Sequence, residues 1–201
     1  MIWAYQRRCL DTAQLIADQF PELSFYQWSS LLSNQPPQRG TSPFKKWTWD
    51  YLPLHSTSFL SVRNGERRYA PKAGEWMLEI RLRTDTAVVP ADRIEPDPTG
   101  LEPSASSQTT MALIGWKCVK RFGKDDTWYH SVWRVSPYAE EDEREQGKAA
   151  MRCDDRVLIY EVECPMERLG TRAEIIAFVD RAKREFSTAL GIEFGELDPE
   201  S

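Results

Sequence analysis

Residues 75–83, EWMLEIRLR, alternate between two sets of side chains. Successive side chains of a β-strand point to opposite faces of its sheet, so such a segment has two distinct faces. One face carries Trp76, Leu78, Ile80 and Leu82. The other carries Glu75, Met77, Glu79, Arg81 and Arg83. The pattern predicts a strand that packs one face on the core and turns the other to water, as happens mostly in antiparallel sheets.

Several other segments are predicted to be strands or helices. Strands are predicted at 1–5, 44–52, 54–62, 111–122, 127–135 and 155–164. The polar residues 123–126 are typical of a hairpin turn between two of them. Apolar spacing predicts a helix over 9–20 and a second, short helix over 24–33.

The clearest helix is predicted over residues 170–191. Thr171 and Glu174 have the spacing of a capping box, and Gly191 is a typical stop signal. Its apolar stripe consists of Ile175, Val179, Ala182, Phe186, Ala189 and Leu190. We therefore expect an α+β fold, in which an antiparallel or mixed sheet carries this capped C-terminal helix on one face.

A proline-rich segment at 90–110 divides the sequence into two halves, 1–89 and 111–201. It contains four prolines and a cluster of Ser and Thr, which is typical of a long loop or linker. Each half alone has few core residues for an independent domain. We expect a single α+β domain over 1–201, interrupted by this loop.

Composition excludes several classes of protein. The net charge of −5 and the pI of about 5.2 argue against binding to nucleic acid through bulk charge. Four scattered cysteines and two histidines have no metal-site spacing, so no metal is expected, and unpatterned cysteines suit a reducing compartment. The sequence shows no signal peptide and no apolar run of about 20 residues, so we expect a cytoplasmic protein.

Two features are candidates for binding a partner. The first is an acidic run whose carboxylates are Glu140, Glu141, Asp142, Glu143 and Glu145. Such a run attracts a basic partner, or it is simply a solvated face. The second is the pair Trp47 and Trp49, which share one face of a predicted strand. Exposed tryptophans anchor partners, whereas buried ones belong to the core.

Three short motifs occur in an order known from an enzyme family. YQRR contains Arg7 and Arg8, HSTSF contains Ser56, Thr57 and Ser58, and YEVEC contains Glu161 and Glu163, with the strand MLEIRL before the last motif. In this order they resemble the arginine–serine–glutamate class of ADP-ribosyltransferases. The alternative is that these Ser and Thr residues belong to an ordinary half-exposed strand.

The resemblance implies an NAD site. In that family the arginine and the first serine help to hold NAD, and the second glutamate acts on the ribose. A carboxylate stabilises the positive charge that develops on the sugar as the nicotinamide bond breaks. Carried over, the NAD-binding residues would be Arg7 (or Arg8), Ser56, Thr57 and Ser58. Glu163 and Glu161 would be the catalytic pair.

The sequence thus leaves two functions in view. The first is a small soluble acidic binding protein of the immunity, inhibitor or anti-defence type found in bacteria and phages. Its partner would be a protein, and the acidic surface favours a basic one. The binding protein would need no cofactor. The alternative is an ADP-ribosyltransferase-like enzyme that uses NAD, or a catalytically degenerate member of that fold.

Overall fold

The computed structural model describes residues 2–30, 42, 56–63, 70–84 and 107–195. In chain order its elements are α1 (Ile2–Ala17), β1 (Ser24–Ser30), β2 (Ser56–Val62), β3 (Trp76–Arg83), β4 (Thr110–Cys118), a π-helix (Trp128–Trp133), α2 (Glu141–Glu145), β5 (Ala150–Arg152), β6 (Val157–Pro165), a 3₁₀ turn (Met166–Arg168) and α3 (Arg172–Leu190).

The described strands form one sheet in the order β1-β2-β3-β4-β6-β5. Every neighbouring pair is antiparallel. Helices α1 and α3 pack on one face of the sheet, against a core that includes Phe59, Leu78, Ile80 and Leu113. The predicted α+β fold, with an antiparallel sheet and a C-terminal helix packed on it, is confirmed.

The ends of α3 are as predicted from the sequence. The Thr171 backbone N–H donates to the Glu174 side chain at 2.7 Å, and the Glu174 backbone N–H donates to the Thr171 hydroxyl at 3.3 Å. Gly191 ends the helix in the left-handed conformation, with φ of 62°. The helix also comes very close to β4, because a Cβ at Gly115 would lie 2.6 Å from Leu190 Cδ1. Glycine on β4 therefore lets α3 lie directly on the sheet.

The prediction that the second face of β3 meets water is wrong. Met77, Glu79 and Arg81 are all buried. The π-helix covers part of this face, where Trp128 and Tyr129 pack with Trp116 and other apolar side chains. The alternation in EWMLEIRLR thus separates two buried faces, one apolar and one that carries charge.

Residues 1–5 were predicted to be a strand, but residues 2–5 form the first turn of α1. The aromatic residues of this segment favour strands only weakly, and tertiary packing overrides such preferences. In successive turns the helix buries Gln6, then Cys9 and Leu10, then Thr12 and Ala13, and then Ile16. This spacing extends the period of the predicted helix 9–20 back towards the N-terminus.

Two further local predictions are wrong. Residues 24–30 of the predicted helix 24–33 form strand β1, which pairs with β2 through a bulge between Phe25 and Gln27. Residues 128–133 of the predicted strand 127–135 form the π-helix. The Thr127 hydroxyl accepts from the His130 backbone N–H at 3.1 Å, and the Ser131 hydroxyl donates to Asp126 at 2.7 Å. These local side-chain bonds favour a helical start over an extended chain.

Two predictions fall largely outside the described residues. The strand predicted at 44–52, with Trp47 and Trp49, lies outside them entirely. So does the proline-rich segment up to residue 106, whereas 107–109 are irregular and Thr110 begins β4. The division of one domain into two halves therefore stays a prediction. None of the described helices is long and apolar enough to cross a membrane.

Candidate functional site

The sheet face that bears Glu79 carries polar side chains from five strands, and we call this set the polar face. Its members are Gln27, Ser29, Ser56, Ser58, Glu79, Arg81, Arg83, Thr110, Glu161 and Glu163. The strand register places these residues on one side of the sheet. Charged groups of both signs are therefore arranged across a surface that the fold largely buries.

Glu79 is the most enclosed acid of the polar face. Its side chain accepts hydrogen bonds from the Ser58 hydroxyl at 2.5 Å, the Tyr138 hydroxyl at 2.8 Å and the Trp116 indole N–H at 2.9 Å. These donors come from β2, from β4 and from the segment after the π-helix. A buried carboxylate is tolerated when such donors satisfy it. Glu79 therefore joins three separate parts of the fold.

Two arginines of β3 pair with two glutamates of β6. Arg81 forms an ion pair with Glu161, and Arg83 Nη2 lies 2.9 Å from Glu163 Oε1. Thr110 also donates to Glu163, at 2.5 Å. The two arginines of Arg-x-Arg and the two glutamates of Glu-x-Glu thus form two ion pairs on the same face of the sheet. We call these two ion pairs the ladder.

The ladder spans β4, which lies between β3 and β6. Ala112 of β4 pairs in register with both Arg81 and Glu163. Arg81 is in register with Ala112 and its partner Glu161 with Ile114, whereas Arg83 is in register with Thr110 and its partner Glu163 with Ala112. Both arginine side chains therefore cross β4 beside Ala112. A methyl side chain leaves room for two long side chains to cross the strand.

The segment of residues 134–146, which we call the strap, is fixed to this ladder. The guanidinium of Arg81 lies 4.3 Å from the ring centroid of Tyr138, and Arg144 Nη1 lies 3.7 Å from Glu161 Oε1. Arg152 of β5 also holds the strap in place. It donates to the carbonyl oxygens of Pro137 and Tyr138, each at 3.1 Å, and its Nη2 lies 2.5 Å from Glu143 Oε2.

The pKa values of several groups follow from this burial. Burial, and next the Glu79 carboxylate, raise the pKa of Tyr138 well above its ordinary value. Burial also raises the pKa of Glu161, although Arg81 and Arg144 oppose that change. Burial lowers the pKa of Arg81, but the Glu161 carboxylate and other acidic groups outweigh it, so the pKa is raised. Tyr138 therefore remains a hydrogen-bond donor across the ordinary pH range.

The acidic run divides between structural and exposed carboxylates. The Glu143 side chain accepts from the Glu140 backbone N–H and pairs with Arg152, so it fixes the start of α2. The hydrogen bond from Arg152 lowers the pKa of Glu143. Glu140 and Asp142 are exposed to solvent. The side chains of Glu141 and Glu145 lie outside the described residues.

The structure brings together only some of the residues implied by the ADP-ribosyltransferase resemblance. Ser56, Ser58, Glu161 and Glu163 share the polar face, but β3 and β4 separate the two serines from the two glutamates. Thr57 pairs with Leu82 and points to the opposite face. These five residues are therefore not gathered at one point.

The arginine implied by the resemblance lies on the opposite side of the sheet from these serines and glutamates. Arg7 lies on α1, which covers the other face of the sheet, and it is exposed. Its side chain pairs with Asp11 at 3.5 Å. Arg8, the second choice, donates to the carbonyl oxygens of Leu169 and Gly170, each at 3.0 Å. Both arginines thus make their contacts on the side of the sheet that α1 and α3 cover.

The sequence patterns did not indicate the residues that hold the polar face together. They are Glu79, Arg81, Trp116, Tyr138, Arg144 and Arg152. One signal was present, since charges of opposite sign recur at every second residue in LEIRLR and YEVEC. Opposite charges at the same period favour pairing across strands. No pattern in the sequence identifies Tyr138, because its partner lies 59 residues away.

Comparison with protein-family models identifies the family of this chain. The model of the PM0109 family matches residues 1–191. The chain belongs to the PM0109 family. Neither the curated proteins nor the solved structures contain a match to it. The part of this PM0109 chain that the family model matches includes the whole polar face and the strap.

We expect Arg81→Met to lower the free energy of unfolding by about 3–5 kcal/mol, because it leaves the buried Glu161 without its main partner. Changing both residues, in Arg81→Met/Glu161→Met, should cost clearly less than the single change, because no uncompensated charge remains. Arg7→Met, in an exposed pair, should cost less than about 1 kcal/mol. Urea denaturation measures all three. A double variant as unstable as Arg81→Met would contradict this account of the ladder.

We also expect the stability to fall as the pH rises through 10, and Tyr138 to account for part of the fall. In the unfolded chain Tyr138 ionises near its ordinary pKa of 10.0, whereas the folded protein retains the proton. Proton release then favours unfolding by up to about 1.4 kcal/mol per pH unit. Tyr138→Phe should show a shallower fall in denaturation experiments at several pH values. Equal slopes in both proteins would show that the Tyr138 pKa is not raised.

Proposed function

We propose that this protein is a non-catalytic binding protein that captures a basic protein partner, in the manner of an inhibitor or immunity protein. The observation that carries the proposal is the way in which the strap presents Glu140 and Asp142. Both carboxylates are exposed, while the neighbouring Glu143 turns inward to Arg152. The acidic run thus exposes carboxylates on a segment whose position is fixed.

The fixed position of the strap matters for affinity. A loop that becomes ordered only on binding loses conformational entropy at that moment, and this weakens the complex. Here Tyr138, Arg144 and Arg152 attach the strap to the sheet before any partner arrives. The exposed carboxylates are therefore preorganised, which favours specific and rapid association with a partner of opposite charge.

The strap and the adjoining strand β5 also expose apolar side chains. Val135 is 62% exposed and Met151 is 42% exposed, and they are two of the three large exposed hydrophobic residues in the described ranges. A hydrogen bond of 2.9 Å between Ser136 and Cys153 links the strap to the end of β5. An apolar contact with charged residues around it is typical of protein–protein interfaces.

We call this region the strap surface. Its members are Val135, Glu140, Asp142, Met151, Asp154 and Asp155. Asp154 and Asp155 are exposed in a turn of left-handed residues directly after β5. The strap surface therefore combines four exposed carboxylates with two apolar side chains. The net charge of −5 further favours a basic partner.

Charge reversal on the strap tests the proposal. The tagged full chain is used to capture proteins from an extract of its host, and the retained proteins are measured by quantitative mass spectrometry. We expect a basic protein whose retention falls about tenfold or more with Glu140→Lys/Asp142→Lys, because two attractive contacts become repulsive. Retention by the natural chain should also fall as the salt concentration rises.

Asp180→Lys/Glu193→Lys is the matched control. It changes the net charge by the same amount at exposed positions outside the strap surface. We expect it to retain the partner. Equal loss with both double variants would show that bulk charge, rather than the strap surface, captures the partner. Retention of the partner by Glu140→Lys/Asp142→Lys would contradict the proposal.

A second candidate is the ADP-ribosyltransferase-like enzyme, or a degenerate member of that fold. One observation favours it, namely that Ser56, Ser58, Glu161 and Glu163 share the polar face. Calorimetric titration with NAD separates the two candidates. Saturable heat that Glu163→Gln abolishes would support the enzyme, whereas the binding-protein proposal expects no heat from NAD.

A further inference from the structure

Helix α1 and the segment that begins α3 face each other across a groove of about 520 Å³. The wall formed by α1 includes Arg8, Thr12 and Leu15, which have the spacing of one helical face. The opposite wall consists of residues 169–172 and Ile175. The volume lies within the range of sites that take small molecules. The groove is therefore large enough for a ligand.

The charge of the groove is mostly positive. Its lining includes the three arginines Arg7, Arg8 and Arg172 but a single acid, Asp11. Three positive charges and one negative charge leave a net charge of +2, in a chain whose total net charge is −5. The nearby Glu174 caps α3, and the helix dipole offsets part of its charge. An anion in the groove would therefore be stabilised.

Two of these arginines retain donors that a ligand can use. Arg8 donates through Nη2 to the carbonyl oxygens of Leu169 and Gly170, each at 3.0 Å. These two bonds hold the guanidinium across the groove, while its Nε and Nη1 groups remain available. The side chain of Arg172 makes no hydrogen bond or ion pair with the described part of the chain.

Thr12 is the observation that indicates a ligand rather than a solvated surface. It lines the groove although it is only 3% exposed. A helical threonine can donate to the carbonyl four residues earlier, as Thr188 does to Arg184 at 3.1 Å. The Thr12 hydroxyl makes neither this bond nor any other to the described residues. Since buried hydroxyls are normally hydrogen-bonded, a ligand oxygen would supply the missing partner.

The three groups converge on one part of the groove. Arg8 and Thr12 are four residues apart on α1, so their side chains are neighbours on the helix surface. The guanidinium of Arg8 contacts Gly170, which precedes Arg172 by two residues. One compact ligand group can therefore meet all three donors.

Charge and shape select the class of anion. A phosphomonoester carries about −1.5 to −2 charges at pH 7 and has several acceptor oxygens, whereas a carboxylate carries a single charge. The phosphomonoester thus matches the net charge of the groove more closely. The planar guanidinium of arginine also pairs with phosphate through two parallel hydrogen bonds.

We propose that the groove between α1 and α3 binds the phosphate group of a small phosphomonoester. Arg8, Arg172 and the Thr12 hydroxyl donate to the phosphate oxygens, and Ala4 and Leu15 offer apolar surface to the carbon part of the ligand. The site lies on the side of the sheet that α1 and α3 cover, away from the polar face. It is therefore neither the NAD site implied by the resemblance nor the strap surface, and it does not rest on the proposed function.

Calorimetric titration of the full chain with phenyl phosphate at neutral pH tests the proposal. We expect saturable binding, and inorganic phosphate should displace the probe. Phenyl sulfate is the matched probe, because it has the same ring and a tetrahedral head but a single negative charge. It should bind about tenfold more weakly or less, because one charge-assisted contact loses most of its strength.

Variants of the donors locate the phosphate. Arg172→Gln should weaken phenyl phosphate binding about tenfold or more, because it removes a charged donor. Arg184→Gln is the matched control, since Arg184 is an exposed arginine of α3 outside the lining of the groove. It should leave the affinity unchanged.

Thr12→Val removes the buried hydroxyl and should weaken binding about fivefold. It should not lower the urea midpoint, because the hydroxyl has no partner in the described residues. NMR spectroscopy then shows where the probe binds. The backbone amide of Gly170, which lines the groove, should shift in a saturable manner, whereas that of Gly147 should not.

Four results would overturn the proposal. Phenyl sulfate that binds as tightly as phenyl phosphate would show that the groove does not select a doubly charged phosphate. Equal loss of affinity in Arg172→Gln and Arg184→Gln would show that only the overall charge matters. Unchanged affinity in Thr12→Val would show that the phosphate does not reach this hydroxyl. The absence of saturable heat, or of a shift at Gly170, would show that the groove takes no phosphomonoester.

Discussion

The carboxylate of Glu79, buried in the middle of the sheet, is the constraint on which the polar side of this structure depends. Such a group is tolerated only when donors surround it. Its donors Ser58, Trp116 and Tyr138 come from two strands and from the strap. The ion-pair ladder beside it follows the same requirement, because each arginine of β3 meets a glutamate of β6. The need to satisfy buried polar groups therefore fixes the sheet register and the strap together.

This arrangement connects the interior of the protein with its surface. Tyr138 and Arg144 of the strap contact the polar face, while Glu140 and Asp142 of the same segment meet solvent. Arg152 also occupies a backbone acceptor of β5, the last strand of the described sheet, because it donates to the Met151 carbonyl at 2.8 Å. An edge protected in this way resists pairing with another strand. Side-chain contacts on the strap, rather than added strands, are therefore the basis of the binding we propose.

The sequence predicted the fold class and the C-terminal helix well, because local signals determine them. The Thr171–Glu174 capping box and Gly191 act within a few residues. The nature of the second face of β3 could not be predicted, because it depends on which distant segment covers it. The π-helix and the strap lie about fifty residues along the chain from β3. The Glu-x-Glu of YEVEC likewise has arginine partners, Arg81 and Arg83, that only the register reveals.

Hydrogen exchange in the variant Glu79→Gln tests whether the polar face fixes the strap. This change keeps the size of the side chain but removes an acceptor from the Ser58, Trp116 and Tyr138 donors. In the natural chain the strap amides of Arg144 and Gln146 donate to the carbonyl oxygens of Glu140 and Asp142. We expect these two amides to exchange about tenfold faster or more in the variant. The amides of α3 should keep their rates. Equal acceleration in the strap and in α3, or none in the strap, would contradict it.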